Sequence, residues 1–352
     1  MKRRLLLQLV ASSVALSLSS AAFAHDHGAA VSEGKVVIYT STDLSQSGDL
    51  VAAFEAKYPG VKVEYTDLGS NGTYNRTISE AAANQMGGDV IWSSAMDLQM
   101  KLYADGLFAE YESSQAGALP GWANYKNTAY GTSLEPIGMI YNTIAINENE
   151  LPGTRAELQA MIEKDARMKG KVAAFDPEKS GTGFLFHTND VRNSDNFWDI
   201  AKAFGAAGGK TYSSSGSMRE SVVSGENNLA FSIIGSYALD WAEENETLGV
   251  AFFSDTNSAF SRIMAITKDA PHPNAARLFL DFTLSKEGQE ALAGQGLPSV
   301  RADTEVGLNA TNLADRIGGK VVPIAIDEGL IEYLNPTKRV GFLRKWKAAI
   351  AK

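Results

Sequence analysis

Strand and helix patterns alternate along most of this chain, and that alternation restricts the possible folds more than any other feature. Lys35-Val-Val-Ile-Tyr39 is a short run rich in β-branched residues, as a buried strand requires. Leu50 to Tyr58 follows, with Leu50, Val51, Ala53 and Phe54 at helical spacing, and Pro59-Gly60 stops it. Val61 to Tyr65 alternates as a second strand, and Thr73 to Gln85 predicts a helix broken by Gly87-Gly88. Asp89 to Trp92 predicts a third strand, and Leu98 to Ala104 a helix closed by Asp105-Gly106. This order predicts a mostly parallel sheet with helices on both faces.

Ala129 to Asn142 reads as one long extended segment, able to carry the chain from one lobe to another. The rhythm then resumes. Strands are expected at Val172 to Phe175, Asn228 to Ile234 and Gly249 to Phe253. Helices are expected at Gly183 to Val191, Asn196 to Gly205 and Ser217 to Ser224. Ser261 to Thr267 is apolar and extended, and suits a return crossing. Amphipathic helices follow at Asn274 to Leu284 and Lys286 to Ala293, with a basic helix over Gly341 to Lys352. No repeat of solenoid period is present.

The N-terminus carries an export signature. Lys2, Arg3 and Arg4 precede an apolar run over Leu5 to Ser20, and Ala22-Phe23-Ala24 has the small-x-small form of a cleavage site. Residues 1–24 are therefore expected to be a signal peptide, with a periplasmic mature chain. Its removal takes the formal net charge from -9 to -12, because it carries three cations and no acid. Such an acidic chain lacks the Lys and Arg patches that phosphate backbones need, which argues against nucleic-acid partners. Cysteine is absent, which excludes disulfides, thiolate metal sites and a Cys nucleophile. Residues 25–34 are polar and small, and read as a flexible leader; His25-Asp26-His27 within them offers metal-binding groups. The 328 residues left after cleavage of the 352 exceed what one core usually serves, so two domains are expected.

The candidate binding residues share one placement, just past a strand and just before a helix. They are Ser41, Thr42 and Asp43 after the first strand, Ser93 and Ser94 after the third, Ser180, Gly181 and Thr182 after Val172 to Phe175, and Ser236 with Tyr237 after Leu229 to Ile234. Ser70, within Gly69-Ser-Asn-Gly72, adds a fifth position. In open parallel sheets, ligands sit outside the carboxyl ends of strands, where helix N-termini offer unpaired N–H groups. Hydroxyls add donors without bulk, so the lining suits an anion such as a phosphate or phosphonate. An N-cap role is the competing reading for each Ser or Thr. His187 is a further candidate contact, and Arg219 and Arg262 are candidate countercharges. Ser213-Ser-Ser-Gly-Ser217 either lines the cleft or covers a loop.

Catalytic patterns are missing. There is no Walker loop, no Gly-x-Ser-x-Gly elbow and no His-Glu-x-x-His. A base to activate a serine is scarce, which argues against a secreted serine hydrolase. No cofactor or resident metal is expected.

These residues together resemble the ferric-type branch of bacterial extracellular solute-binding proteins of ABC importers. The resemblance is carried by Val36-Val-Ile-Tyr-Thr-Ser41, Phe54-Glu-Ala-Lys-Tyr-Pro-Gly60, Gly88-Asp-Val-Ile-Trp92 and Gly138-Met-Ile-Tyr-Asn142. It is carried most specifically by Ala275-Ala-Arg-Leu-Phe-Leu-Asp-Phe282, Ser285-Lys-Glu-Gly-Gln289 and Gly296-Leu-Pro-Ser-Val-Arg301. The resemblance implies an α/β fold of the type II periplasmic binding protein kind, with two three-layer lobes joined by hinge crossings. It also implies an inner-membrane permease as partner and a small-molecule ligand captured by closure, without catalysis. The expected lobes are 35–132 with 262–310 and 133–261 with 311–352, in a monomer. Ferric binders of this branch use two adjacent tyrosines; the matching stretch here, Ile234-Gly-Ser-Tyr237-Ala238, has one. Ser41-Thr42-Asp43 also lacks the family's histidine. The expectation is therefore a phosphorylated organic anion, with ferric iron or a ferric chelate as the alternative.

Overall fold

The computed structural model describes residues 27–351; the expected signal peptide, His25 and Asp26 lie outside them. Two sheets organise the chain. The first runs β2 (Lys62–Asp67), β1 (Lys35–Thr40), β3 (Val90–Ser93), β12 (Ile263–Ile266), β5 (Ala129–Gly131) and β4 (Asn124–Tyr125). β1 is parallel to both β2 and β3, as the βαβ alternation requires, and β12 returns antiparallel to β3. The second sheet runs β13 (Lys320–Pro323), β11 (Thr256–Phe260), β6 (Glu135–Asn142), β9 (Leu229–Ile234), β7 (Val172–Phe175) and β8 (Lys210–Tyr212). β10 (Leu248–Ala251) also pairs with β6. The fold is α/β with two sheets flanked by helices, the two-lobed form expected.

Each sheet is buried by helices whose apolar stripes match their period. In the first lobe, Val36 and Ile38 of β1 are fully buried with Leu50 and Phe54 of α2 (Leu44–Lys57). Phe54 meets Phe279 of α10 (Pro273–Leu284) edge-on, with centroids 5.0 Å apart. Truncating such a ring to alanine costs about 3–5 kcal/mol. In the second lobe, Phe204 of α7 (Phe197–Ala206) packs on Phe231 of β9.

The long extended segment expected over Ala129 to Asn142 is divided. β5 ends in the first sheet, residues 132–134 cross over, and β6 begins in the second. The return likewise joins β11 to β12 through Ser261 and Arg262 alone. The two crossings run side by side, with Thr132 N–H donating to the Arg262 carbonyl at 3.0 Å.

The leader is a correction in part. Residues 27–33, expected to be flexible, form a short helix, α1. Ala30 is fully buried. Glu33 accepts from the Asn274 and Ala275 N–H groups, at 3.2 and 2.8 Å. A carboxylate there satisfies orphan donors at the start of α10 and faces its positive dipole end. The ring of His27 sits edge-on to Tyr58, with centroids 5.5 Å apart.

Several helices begin earlier than their apolar periodicity indicates. α2 starts at Leu44 rather than Leu50, α3 (Gly69–Ala82) at Gly69 rather than Thr73, and α8 (Ser215–Val223) at Ser215. Their first turns are rich in Ser, Gln, Gly and Asn, which carry no helical apolar periodicity. These polar first turns are what the fold directs toward the gap between the lobes.

The cleft between the lobes

A cavity of about 490 Å³ opens between the carboxyl ends of the two sheets. From the first lobe it is lined by Ser41, Asp43, Asp67, Ser70 and Ser94. From the second it is lined by Phe175, Ser180, Thr182, Ser213 to Gly216, Tyr237 and Trp241. Helix starts ring it: α2 after Asp43, α3 at Gly69, α6 (Gly181–Asn193) after Ser180, α8 after Ser214, and α9 (Gly235–Glu244). The first N–H groups of a helix have no intrahelical partner, so each start offers donors and a positive dipole end.

Hydrogen bonds already cross the cleft. The hydroxyls of Ser94 and Thr182 lie 2.7 Å apart. Asn71 Nδ2 donates to the Lys179 carbonyl at 3.0 Å, and the Asp43 N–H to the Tyr237 hydroxyl at 3.4 Å. Ser41 Oγ ties the first wall together, 3.2 Å from Ser93 Oγ and 3.1 Å from Ser94 Oγ. The lobes approach closely at Gly181: a Cβ there would stand 2.8 Å from Leu98 Cδ1 and 2.9 Å from Asn71 Oδ1.

Some hydroxyls serve as caps, the competing reading of the sequence. Ser180 Oγ accepts from Gly183 N–H and Ser214 Oγ from Ser217 N–H, each at 3.1 Å. The Ser180 hydroxyl still has a proton to donate, and Ser214 Oγ also lies 3.0 Å from Ser217 Oγ. Ser215 is different: its side-chain oxygen is buried in the cleft wall without a partner.

A buried ion pair underlies the cleft floor. Arg262 Nε and Nη2 donate to the two oxygens of Glu135, at 2.8 and 3.0 Å, and neither side chain is exposed. Arg262 Nη1 reaches the Ser41 carbonyl and Thr42 Oγ1, and its guanidinium lies 4.9 Å from the Tyr237 ring centroid. Burial opposes the Arg262 charge, but the Glu135 carboxylate outweighs it and holds the proton more firmly than usual. Burial, aided by the charges of Asp43 and Glu135, keeps the Tyr237 hydroxyl protonated far above the usual tyrosine range.

The structure brings Ser41, Asp43, Ser70, Ser94, Ser180, Thr182 and Tyr237 to the cavity. It places five other candidates elsewhere. Thr42 is fully buried beneath the wall, bonded to Arg262. Ser93 backs Ser41, and Gly181 packs against the opposite lobe. Ser236 donates to Glu135 Oε2 at 2.6 Å. His187 is not in the cleft: it is fully buried, its Nε2 3.1 Å from the Phe175 carbonyl and its ring stacked on Trp346. Facing inward from α6, it points into the second-lobe core, and burial lowers its pKa. Ser213 to Gly216 line the cavity. Arg219 lies beside it, 5.4 Å from the Trp241 ring centroid.

Sequence reasoning missed Gln46, Asp67, Phe175 and Trp241 in the lining. Asp67 ends β2 and Trp241 follows Tyr237 by one helical turn, so strand-end and i+4 spacing were available signals for both.

Residues 41–290 match the family model described as bacterial extracellular solute-binding protein. The chain belongs to that family. It is 34% identical to the substrate binding protein of an ABC transporter from Agrobacterium tumefaciens, with a TM-score of 0.84 over 90% of this chain and 94% of that one. The fold is shared with AfuA of Actinobacillus pleuropneumoniae, solved with fructose-6-phosphate, at 23% identity, TM-score 0.73, and 90% and 98% coverage. It is shared too with iron-bound HitA of Pseudomonas aeruginosa, at 18% identity, TM-score 0.70, and 90% and 99% coverage. The chain is thus the solute-binding component of an ABC transporter, a binding protein and not an enzyme. Among the described residues, no helix is long and apolar enough to cross a membrane.

Proposed function

We propose that this protein captures a phosphorylated organic anion, a sugar phosphate or phosphonate, in the periplasm and delivers it to an inner-membrane permease. The observation that carries the reading is the convergence of the α3, α6, α8 and α9 starts on a hydroxyl-lined cavity. Helix starts are ready-made oxyanion sites. A buried oxyanion is tolerated only when each oxygen is hydrogen-bonded, which explains the number of donors. Residues 35–132 with 262–310 would move against 133–261 with 311–352 about the paired crossings, closing on the ligand.

The donor set suits ferric iron less well. Iron of that charge wants several anionic oxygens together, whereas among the described residues no cluster of three or more His, Asp or Glu could hold a metal ion, and burial holds the cavity-lining Tyr237 protonated. Calorimetric titration with hexose phosphates, aminoethylphosphonate and inorganic phosphate tests the reading. A phosphorus compound binding tighter than about 100 µM, or about −5.5 kcal/mol, supports it. No such binding, together with a visible tyrosinate–iron band on adding iron, overturns it.

A further inference from the structure

The two walls of the cleft are unlike in charge. Asp43, at the N-cap of α2, and Asp67, at the end of β2, line the first-lobe wall, and both are exposed. Desolvation and then the neighbouring charge of Asp43 raise the pKa of the Asp67 carboxyl, against the pull of the Gly69 N–H. Among the described residues, no Lys, Arg or His lines the cavity. Arg262, beneath the floor, is matched by Glu135 and adds no net charge.

The opposite wall carries no charged side chain and is rich in donors. α6 and α8 start there, at Ser180 to Thr182 and at Ser213 to Gly216. Ser215 is 5% exposed, and its unpartnered oxygen belongs to that wall. A dianion placed here faces helix N-termini on one side and two carboxylates on the other. Like charges brought together in a cleft that closes over them repel. A simple phosphate ester therefore meets repulsion from Asp43 and Asp67, while Arg219, the cation beside the cavity, lies outside its lining with Glu244 3.9 Å from its Nη2.

We infer that the ligand brings its own cation: the cleft selects a zwitterion. Its phosphoryl or phosphonyl group lies against the starts of α6 and α8. Its ammonium group lies beside Asp43 and Asp67. This inference rests on the reading that the ligand carries a phosphorus oxyanion.

The test is calorimetry with 2-aminoethylphosphonate, ethylphosphonate, glucose 6-phosphate and ethanolamine, on the wild type and on the D43N/D67N double variant. The wild type binds aminoethylphosphonate at least about tenfold more tightly than ethylphosphonate. The double variant reduces that preference to about twofold or less and binds ethylphosphonate no more weakly. Because both aspartates are exposed, circular dichroism should show an unchanged fold. Ethylphosphonate or glucose 6-phosphate binding the wild type as tightly as aminoethylphosphonate overturns the zwitterion inference and leaves the phosphorus reading standing. So does a double variant that keeps the preference. Binding of ethanolamine with no phosphorus compound bound overturns the phosphorus reading, and binding of none of the four overturns both.

Discussion

Arg262 and Glu135 stand on different crossings between the lobes and are bonded to each other at 2.8 Å with no exposure to solvent. Glu135 opens β6, and Arg262 separates β11 from β12. The same arginine holds the Ser41 carbonyl, Thr42 Oγ1 and the face of the Tyr237 ring. Ser236 and Ser133 donate to Glu135 at 2.6 Å each. The pair thus links both crossings to both cleft walls, which makes the hinge a specified joint rather than two loose strands.

Breaking one side of that pair leaves an uncompensated buried charge. Glu135→Gln should destabilise the protein by about 3–5 kcal/mol, read from the denaturant midpoint. Replacing both partners with apolar residues, E135L with R262M, should recover much of the loss. An E135Q variant within about 1 kcal/mol of the wild type contradicts this role.

Gly181 lets the lobes meet. A Cβ there would stand 2.8 Å from Leu98 Cδ1 and 3.1 Å from Ser70 Oγ, both on the opposite lobe. Gly181→Val should therefore act as a wedge, weakening ligand affinity at least about tenfold. Stability of the ligand-free protein should change little, because the wedge opposes closure and leaves each core packed. A large fall in the ligand-free melting temperature would instead show that Gly181 supports the second-lobe fold.

Ser94 and Thr182 form a hydroxyl pair across the cleft at 2.7 Å. Ser94→Ala removes one partner and leaves the other buried. A loss of about 1 kcal/mol, or roughly fivefold in affinity, is the expected outcome by calorimetry. Binding unchanged within twofold would place the ligand-holding closure elsewhere.

Asp97 supplies a pH dependence. It lies in the first turn of α4 (Met96–Ala104), which packs against α6 and the segment Glu328–Leu334. Its Oδ1 accepts the Leu98 N–H, and its Oδ2 is buried with no partner. Burial pushes its pKa from 3.8 to about 7, against the pull of the Leu98 N–H and the charges of Arg339 and Arg192. The folded protein thus holds this proton more tightly than the unfolded chain does. Its ionisation disfavours folding progressively as pH rises from about 4 to about 7, and by a constant amount above that. Asp97→Asn should gain stability relative to the wild type over that window, measured by urea unfolding at pH 4, 6 and 8. A stability difference that is flat with pH contradicts the assignment.

Much of this was legible in the sequence, for local reasons. β1, β7 and β9 are short apolar runs, and the chain turns sharply after each. Ser41, Ser180 and Tyr237 could therefore be placed near a cleft from strand ends alone. Long-range geometry was not legible. Nothing near Arg262 in sequence announces Glu135, 127 positions away. His187 looked polar and available, but its place on α6 turns it onto Trp346. Ser213 to Gly216 suit a cleft lining and a loop cover equally in sequence, because Ser and Gly are poor helix formers, yet they sit at the start of α8 and line the cavity. The leader misled in the same way: Ala30 is buried, and Glu33 finds its partners at the start of α10, far along the chain.

The most direct test of the account is a crystal structure of the protein grown with 2-aminoethylphosphonate. The account predicts closed lobes, with phosphonate oxygens within hydrogen-bonding reach of Ser180 to Thr182 and Ser215. A ligand seated outside the cleft, or iron bound on Tyr237 in place of the phosphonate, would contradict it.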